Sequence, residues 1–479
     1  MVKRFIREKH KYSNIGRMNT IEIANLCYLQ ATFTHIQNFR PYLKVSAIYI
    51  YKFYLRFKIS TFMIFIRYFL PLAFLVLITA LRAQPAQDDR MYEIINSSSP
   101  ERIKVDIKKL VSFGTRHTLS DTVSKTRGIG AARRWIKSEF DRISADCNNC
   151  LEVSYLEGDV KPGESRRIPE GVHIVNVMAI KRGTVYPDRY IIMSGDIDSR
   201  VSNALDAESD SPGANDNASG IAGVLEASRI LSKYEFASSI LFVGLSGEEQ
   251  GLFGGKIMAE RAKEENWDII GILNNDMIGN IHGIDGVIDN TTFRVFSEAA
   301  PPDEDEQKRI WKRFYGGEVD GPSRQIARYV ERMTSQYMTN LEAIMIYRLD
   351  RFGRGGHHRP FNDAGFPGIR IMETHENYNM QHQDIRLENG ISYGDVLEGV
   401  DFDYCAKLTT VNAINLAAIA WSPKPPSGLM IGGAVRPSTK LKWDTSLDHH
   451  VAGYIVHWRD TTAPQWQYSR YIGNVTEFT

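Results

Sequence analysis

The chain has 479 residues, a formal net charge of +1, 43% hydrophobic and 24% charged residues. This is ordinary globular composition with ample apolar material for a large core, and the length allows two to four domains. The balanced charge gives no ground for nucleic-acid binding.

Residues 1–83 do not read as part of a fold. Residues 1–61 mix basic and aromatic side chains without clean periodicity. Over residues 63–83, Arg67 precedes Leu70-Pro-Leu-Ala-Phe-Leu-Val-Leu-Ile-Thr-Ala80 and then Leu81-Arg-Ala83. A basic residue, a short apolar core and a small exit residue describe a secretory signal, and the core is too short for a membrane span. The expected start is therefore Met63, with residues 1–62 an over-extended reading frame. The expected location is secreted, periplasmic or cell-surface, without stable membrane insertion after signal cleavage. The rival reading is an uncleaved signal-anchor that tethers the chain to the membrane.

Residues 84–165 read as a helical N-terminal part. Pro100–Phe113 and Gly128–Ala145 carry apolar residues at helical spacing, such as Ile129, Ala132, Ile136 and Phe140. Cys147-Asn-Asn-Cys150 has no second pair to complete a zinc site, so a local disulfide is expected in an exported chain. Cys405 reads as a small buried hydrophobe and Cys27 falls in the leader.

From residue 166 to 421 strands and helices alternate. Val172–Ile180, Tyr190–Met193, Ser239–Leu245, Ile269–Asn274, Ile344–Arg348 and Gly368–Met372 read as strands. Ala218–Leu231, capped by Asp216 or Asn217, Lys256–Glu265, Pro322–Thr339 and Asp403–Trp421 read as helices. The alternation predicts an α/β catalytic domain, with a mostly parallel sheet and helices on both faces. Ser422-Pro-Lys-Pro-Pro-Ser-Gly428 is a stiff linker. Residues 429–479 read as short strands, with Tyr454, Val456 and Trp458 on one face. They resemble the first half of a fibronectin type III module of about 100 residues, so the chain is expected to stop in mid-domain. The alternative is a small β-appendage packed on the catalytic domain.

The chemistry gathers at strand ends. Ser239–Leu245 runs into Ser246-Gly-Glu248-Glu249-Gln-Gly251. Adjacent carboxylates point in different directions, so one can hold a metal while the other faces a water as general base. The bland alternative is a solvated acidic turn. Ser194-Gly-Asp196-Ile-Asp198-Ser follows one strand, Pro212-Gly-Ala-Asn-Asp216-Asn-Ala-Ser-Gly220 opens a helix, and Asn274-Asn-Asp276-Met-Ile-Gly279 follows another strand. Asn377-Tyr-Asn-Met-Gln-His382-Gln-Asp384 comes late. Together these supply enough carboxylates for a pair of divalent cations on one sheet rim, where their crowding would be costly without metal.

The Pro-Gly-Ala-Asn-Asp-Asn-Ala-Ser-Gly and Gly-Glu-Glu-Gln-Gly-Leu segments resemble the co-catalytic zinc aminopeptidases, metallopeptidase family twenty-eight, most nearly the exported bacterial members. The resemblance covers Pro100 to Trp421. It implies a three-layer, phosphorylase/hydrolase-like α/β sandwich with a mixed, mostly parallel sheet. It implies two divalent ions, Zn2+ first with Mn2+ or Co2+ as alternatives, and exopeptidase action on peptides or proteins with free amino termini. Asp216 matches the carboxylate that bridges the ions, and Glu249 and Asp276 match a ligand to each. Asp196 and His382 match the remaining ligands. Glu248 matches the general base acting on a hydroxide between the ions, and Asp198 the acid that orients a ligand.

Three positions depart from the family pattern. Asp196 stands where the family has His, Met380 replaces the first His of His-Gln-His-Gln-Asp, and His357 replaces the Asp of Asp-His-x-Pro-Phe. Asp is a legitimate zinc ligand and Met is a poor one, which leaves His382 as the late ligand. His358 and Tyr347 are candidate donors to the substrate carbonyl, with a structural role the alternative for His358. Two further activities fit the scaffold: cyclisation of amino-terminal glutamine, and binding without catalysis after loss of a metal.

Overall fold

A computed structural model of the chain describes residues 88–433, 435–449 and 451–479, so the signal region and Cys27 lie outside the described residues. In chain order come α1 (Asp89–Ile95), α2 (Pro100–Val111), α3 (Gly128–Asp146), β1 (Leu151–Val160), β2 (Val172–Lys181) and β3 (Tyr186–Asp196). They are followed by α4 (Gly220–Leu231), β4 (Ser238–Leu245), α5 (Phe253–Glu264), β5 (Asp268–Asn275) and β6 (Thr292–Ser297). Next are α6 (Glu306–Tyr315), α7 (Pro322–Tyr337), β7 (Glu342–Ile346), α8 (His358–Asp363) and β8 (Gly368–Glu373). The hairpin β9 (Arg386–Glu388) and β10 (Ile391–Tyr393) precedes the long α9 (Phe402–Trp421).

Strands β1 to β8 form one sheet in the order β1-β2-β4-β3-β5-β8-β6-β7. The centre, β4-β3-β5-β8, is parallel throughout, while β2 meets β4 and β6 meets β8 antiparallel. Burial on both faces explains the unbroken apolar runs of these strands. In β4, Ile240 and Phe242 face the layer that holds α2, α3, α4 and α9, while Leu241, Val243 and Leu245 face α5 and α8. Helix α9 is apolar nearly all round because it runs through the larger of these layers, buried along most of its length. The mixed, mostly parallel sheet between helical layers is the expected fold class.

Elements that the periodicity did not reveal have clear reasons. β1 is an edge strand whose exposed positions carry Glu152, Tyr155 and Glu157, so its apolar alternation is broken by charge. β6 carries Arg294 between Phe293 and Val295. α6 leaves Trp311 and Phe314 exposed, so its hydrophobic pattern does not mark a core face.

After Ser422 the chain forms β11 (Met430–Gly432), β12 (Lys440–Lys442), β13 (Tyr454–Trp458), β14 (Tyr468–Gly473) and β15 (Glu477–Phe478). These make a three-stranded antiparallel sheet, β11-β12-β15, and the hairpin β13-β14. The segment is tied to the catalytic body: Arg459 pairs with Asp320 at 2.6 Å, and the Arg328 guanidinium donates to the Pro464 carbonyl at 2.9 Å. Cys147 and Cys150 are disulfide-bonded, and Cys405 is buried. No helix among the described residues is long and apolar enough to cross a membrane.

Candidate metal centre

The carboxyl ends of β3, β4 and β5 deliver their acids to one rim, as parallel strands do. The turn after β4 is held from below by Asp198. Its Oδ1 accepts the Glu248 N–H at 3.1 Å, and its Oδ2 accepts the Glu249 N–H at 3.0 Å and the Thr118 hydroxyl at 3.0 Å. Gly247 makes the reversal at φ +77°, a conformation side chains disfavour. The turn before α4 is fixed from three sides. Asp395 accepts the Asn215 and Asp216 N–H groups at 2.8 and 2.6 Å. Asn217 accepts the Gly220 N–H at 3.0 Å, although the N-cap of α4 is Ser219 rather than the expected Asp216 or Asn217, and it donates to Asp196 at 2.9 Å and to the Asn275 carbonyl at 2.7 Å. Arg116, fully buried, donates to the Ile197 and Gly213 carbonyls at 2.8 and 2.9 Å.

Asp216, Glu249 and His382 meet. His382 Nε2 lies 2.9 Å from Asp216 Oδ2 and 2.9 Å from Glu249 Oε1, and the three donor atoms lie within 4.8 Å of one another. Gln381 donates to Asp216 at 3.1 Å, and Arg200 pairs with the other Glu249 oxygen at 2.8 Å. Burial alone would lower the His382 imidazole, but Glu249 and then Asp216 raise it to about 9. The position therefore demands positive charge, and its one nitrogen and two oxygens suit zinc. Glu248 lines the same cleft of about 830 Å³ as Asp216, Glu249, Asp276 and His382. Burial, then the carboxylates of Glu249, Asp276, Asp196 and Asp216, push the Glu248 carboxyl well above its usual range. A cation held by the donor cluster would relieve that repulsion and leave Glu248 ionised, free to accept a proton.

The structure treats Asp196 and Asp276 differently. Among the described residues, Asp216, Glu249 and His382 are the one set of three donors that converge. Asp276 Oδ2 pairs with Arg370 Nη2 at 2.8 Å, while its buried Oδ1 has no hydrogen-bond partner. Arg370 is fully buried on β8 and also pairs with Asp350 at 3.0 Å. Both Asp196 oxygens are engaged: one by Asn217, the other by His357 Nδ1 at 2.5 Å. Thus two of the three departures from the resembled pattern, Asp196 and His357, touch one another. Burial lowers the His357 imidazole to about 4. Met380 lies two residues from His382 and lines a separate small cavity beside Asp216.

His358 and Tyr347 do not line the cleft. The His358 Nε2 lies 2.8 Å from the Leu349 carbonyl, and the Tyr347 hydroxyl donates to the Pro464 carbonyl at 3.3 Å. Sequence reasoning passed over Arg200, Arg370 and Asp395. Arg370 did leave a signal: a cation inside the apolar run Gly368-Ile-Arg370-Ile-Met372. Arg200 sits directly after Asp198-Ser199, close enough in sequence to have been weighed with the acids.

Residues 176–393 match the sequence model of peptidase family M28. A probable zinc metalloprotease of Leptosphaeria maculans is 42% identical over 83% of this chain and 92% of its own length. Another, of Pyrenophora tritici-repentis, is 42% identical over 81% of this chain and 80% of its own length. Both relatives are fungal, so they lend no support to the bacterial placement or to the fibronectin likeness. Among solved structures, the LapA aminopeptidase of Legionella pneumophila superposes with a TM-score of 0.51 at 14% identity, covering 71% of this chain and 75% of that one. LapB of the same organism gives 0.51 at 17% identity, over 71% and 77%. These likenesses show the fold.

Proposed function

The chain belongs to peptidase family M28, and from that premise we propose that it is a zinc-dependent aminopeptidase acting on peptides with free amino termini. The observation that carries the reading is the Asp216–Glu249–His382 cluster beside Glu248 on one cleft. Asp216, Glu249 and His382 would hold the zinc, which when bound polarises the scissile carbonyl and acidifies water. Glu248 takes the proton from the attacking water and returns it to the leaving amine. Asp198 positions both glutamates through their backbone N–H groups. Acidic groups at the cleft floor pair with the cationic terminus of the substrate, which favours cleavage from the amino end.

The reading rests on this first ion. A second ion, implied by the resemblance, would draw on Asp276 Oδ1, the one unpartnered donor atom of Asp276 and Asp196. Export belongs to the same proposal. It is supported by the basic, apolar and small-residue pattern of residues 63–83 and by the Cys147–Cys150 disulfide.

The test is Glu248→Gln. It keeps zinc at the wild-type level by elemental analysis and stops release of amino acids from aminoacyl-anilides. Turnover retained in this variant refutes the base assignment. Equal cleavage of free and N-acetylated peptides refutes the exopeptidase reading, and pyroglutamate formation would replace it with cyclisation.

A further inference from the structure

Above the acidic floor of the cleft, the wall is basic. Some of its cations are already answered. Arg200 pairs with Glu249 at 2.8 Å, Arg351 with Glu376, and Arg359 lies 3.7 Å from Asp363. Arg167, Lys256 and Arg354 line the same cleft and have no carboxylate partner among the described residues. Their heads are placed by other means. Arg167 donates to the Glu249 carbonyl at 2.5 Å, and Arg354 Nη1 lies 3.4 Å from His382 Nδ1. The Lys256 ammonium sits 4.7 Å from the Phe253 ring centroid. The acids of the floor, Asp216, Glu248, Glu249 and Asp276, lie in the same cleft, but no carboxylate among the described residues forms an ion pair with these three exposed cations, which leaves them open to an anionic group of a bound peptide. Two of them stand within one residue of the zinc-binding cluster. An anion bound there would therefore lie close to the scissile bond.

We propose that the cleft selects peptides carrying a carboxylate near the scissile bond, held by Arg167, Lys256 and Arg354. The inference rests on the metallopeptidase reading for the position of that bond. The carboxylate has two sources of the same chemistry: an acidic side chain beside the bond, or the free carboxyl terminus of a di- or tripeptide.

Matched pairs of substrates test it on the zinc-loaded protein. Leu-Glu-Ala-amide against Leu-Gln-Ala-amide reports the side chain, and Leu-Gly against Leu-Gly-amide reports the terminus. The carboxylate member of at least one pair should have the higher kcat/KM, by about tenfold at low salt. The advantage should shrink as salt rises, because exposed charges are screened. In Lys256→Glu and Arg354→Ala the ratio within the pair should fall about twofold to fivefold per charge removed, the range of an exposed ion pair. The same peptides titrated calorimetrically into zinc-loaded Glu248→Gln give the preference without turnover. Equal kcat/KM and equal binding within both pairs overturn the inference, as does a preference untouched by either substitution. Preferential binding with no turnover of any peptide by the wild type sustains the inference and removes the peptidase reading.

Discussion

Asp198 lies beneath the donor cluster, yet the geometry makes it the support of both glutamates. Its two oxygens accept the Glu248 N–H, the Glu249 N–H and the Thr118 hydroxyl, at 3.1, 3.0 and 3.0 Å, in a fully buried setting. Asp198→Asn preserves the volume and turns one acceptor into a donor. Whichever way the amide is turned, its NH2 faces a backbone N–H, of Glu248 in one orientation and of Glu249 in the other. Each orientation leaves a buried backbone donor unpaired, at about 1–3 kcal/mol, and replaces charge-assisted bonds by neutral ones. The sum is about 2–4 kcal/mol, read from urea unfolding in excess chelator. Zinc affinity, read by chelator competition, should fall about ten- to a hundredfold, the usual effect of losing a group that orients a ligand. Thr118→Val removes one neutral donor only and should cost about 1 kcal/mol. If Asp198→Asn binds zinc like the wild type and unfolds at the same urea concentration, the carboxylate does not hold the turn and the positioning argument fails.

The other predictions divide between metal and pH. His382→Ala should lose the zinc held with Asp216 and Glu249, whereas Asp276→Asn should keep that ion, because Asp276 Oδ2 answers to Arg370; elemental analysis after dialysis decides, and loss of all zinc in Asp276→Asn contradicts the grouping. Burial works to raise the Asp350 carboxyl, but Arg370, then His358 and Arg351, outweigh it and hold it far below the usual range. A depressed folded-state value contributes stability that is present above the unfolded value, about 3.9, and is lost as pH falls through the folded one. Asp350→Asn should therefore cost about 3 kcal/mol at pH 7, as breaking a buried pair does. The gap from wild type should close progressively below about pH 4, and a gap constant between pH 7 and pH 3 in urea titrations contradicts it.

How much of this was legible in the sequence depends on distance along the chain. The acids at strand ends were legible because a strand, a glycine and a carboxylate are neighbours in sequence, as in Leu245-Ser-Gly247-Glu248. The central strands were legible because burial on both faces leaves an unbroken apolar run. β1 and β6 were not, since an edge position and Arg294 broke the alternation. The contact between Asp196 and His357 was illegible for another reason: it joins residues 161 apart, and no local pattern announces it. Tyr347 reads as a candidate donor to the substrate carbonyl, but its hydroxyl is turned to the C-terminal segment.

A gathering of acids at a sheet rim need not be a gathering of ligands. Crowded carboxylates have to be compensated, and this fold compensates them in three ways. Asp216 and Glu249 close on His382, the one converging donor set among the described residues. Asp196 turns to Asn217 and His357. Asp276 gives one oxygen to Arg370. The last follows from strand register. β5 and β8 are parallel neighbours with Asn274 opposite Arg370, so a cation inside β8 comes to lie beside an acid two residues further on, just past the end of β5. A charged residue in the middle of an apolar, doubly buried strand is costly unless it is paired. Its presence at Arg370 therefore already required an acid within reach, and the structure supplies two, Asp350 and Asp276. One complete donor set converges among the described residues, while Asp276 keeps Oδ1 unpartnered, and the metal content of Asp276→Asn tests whether that atom holds an ion of its own.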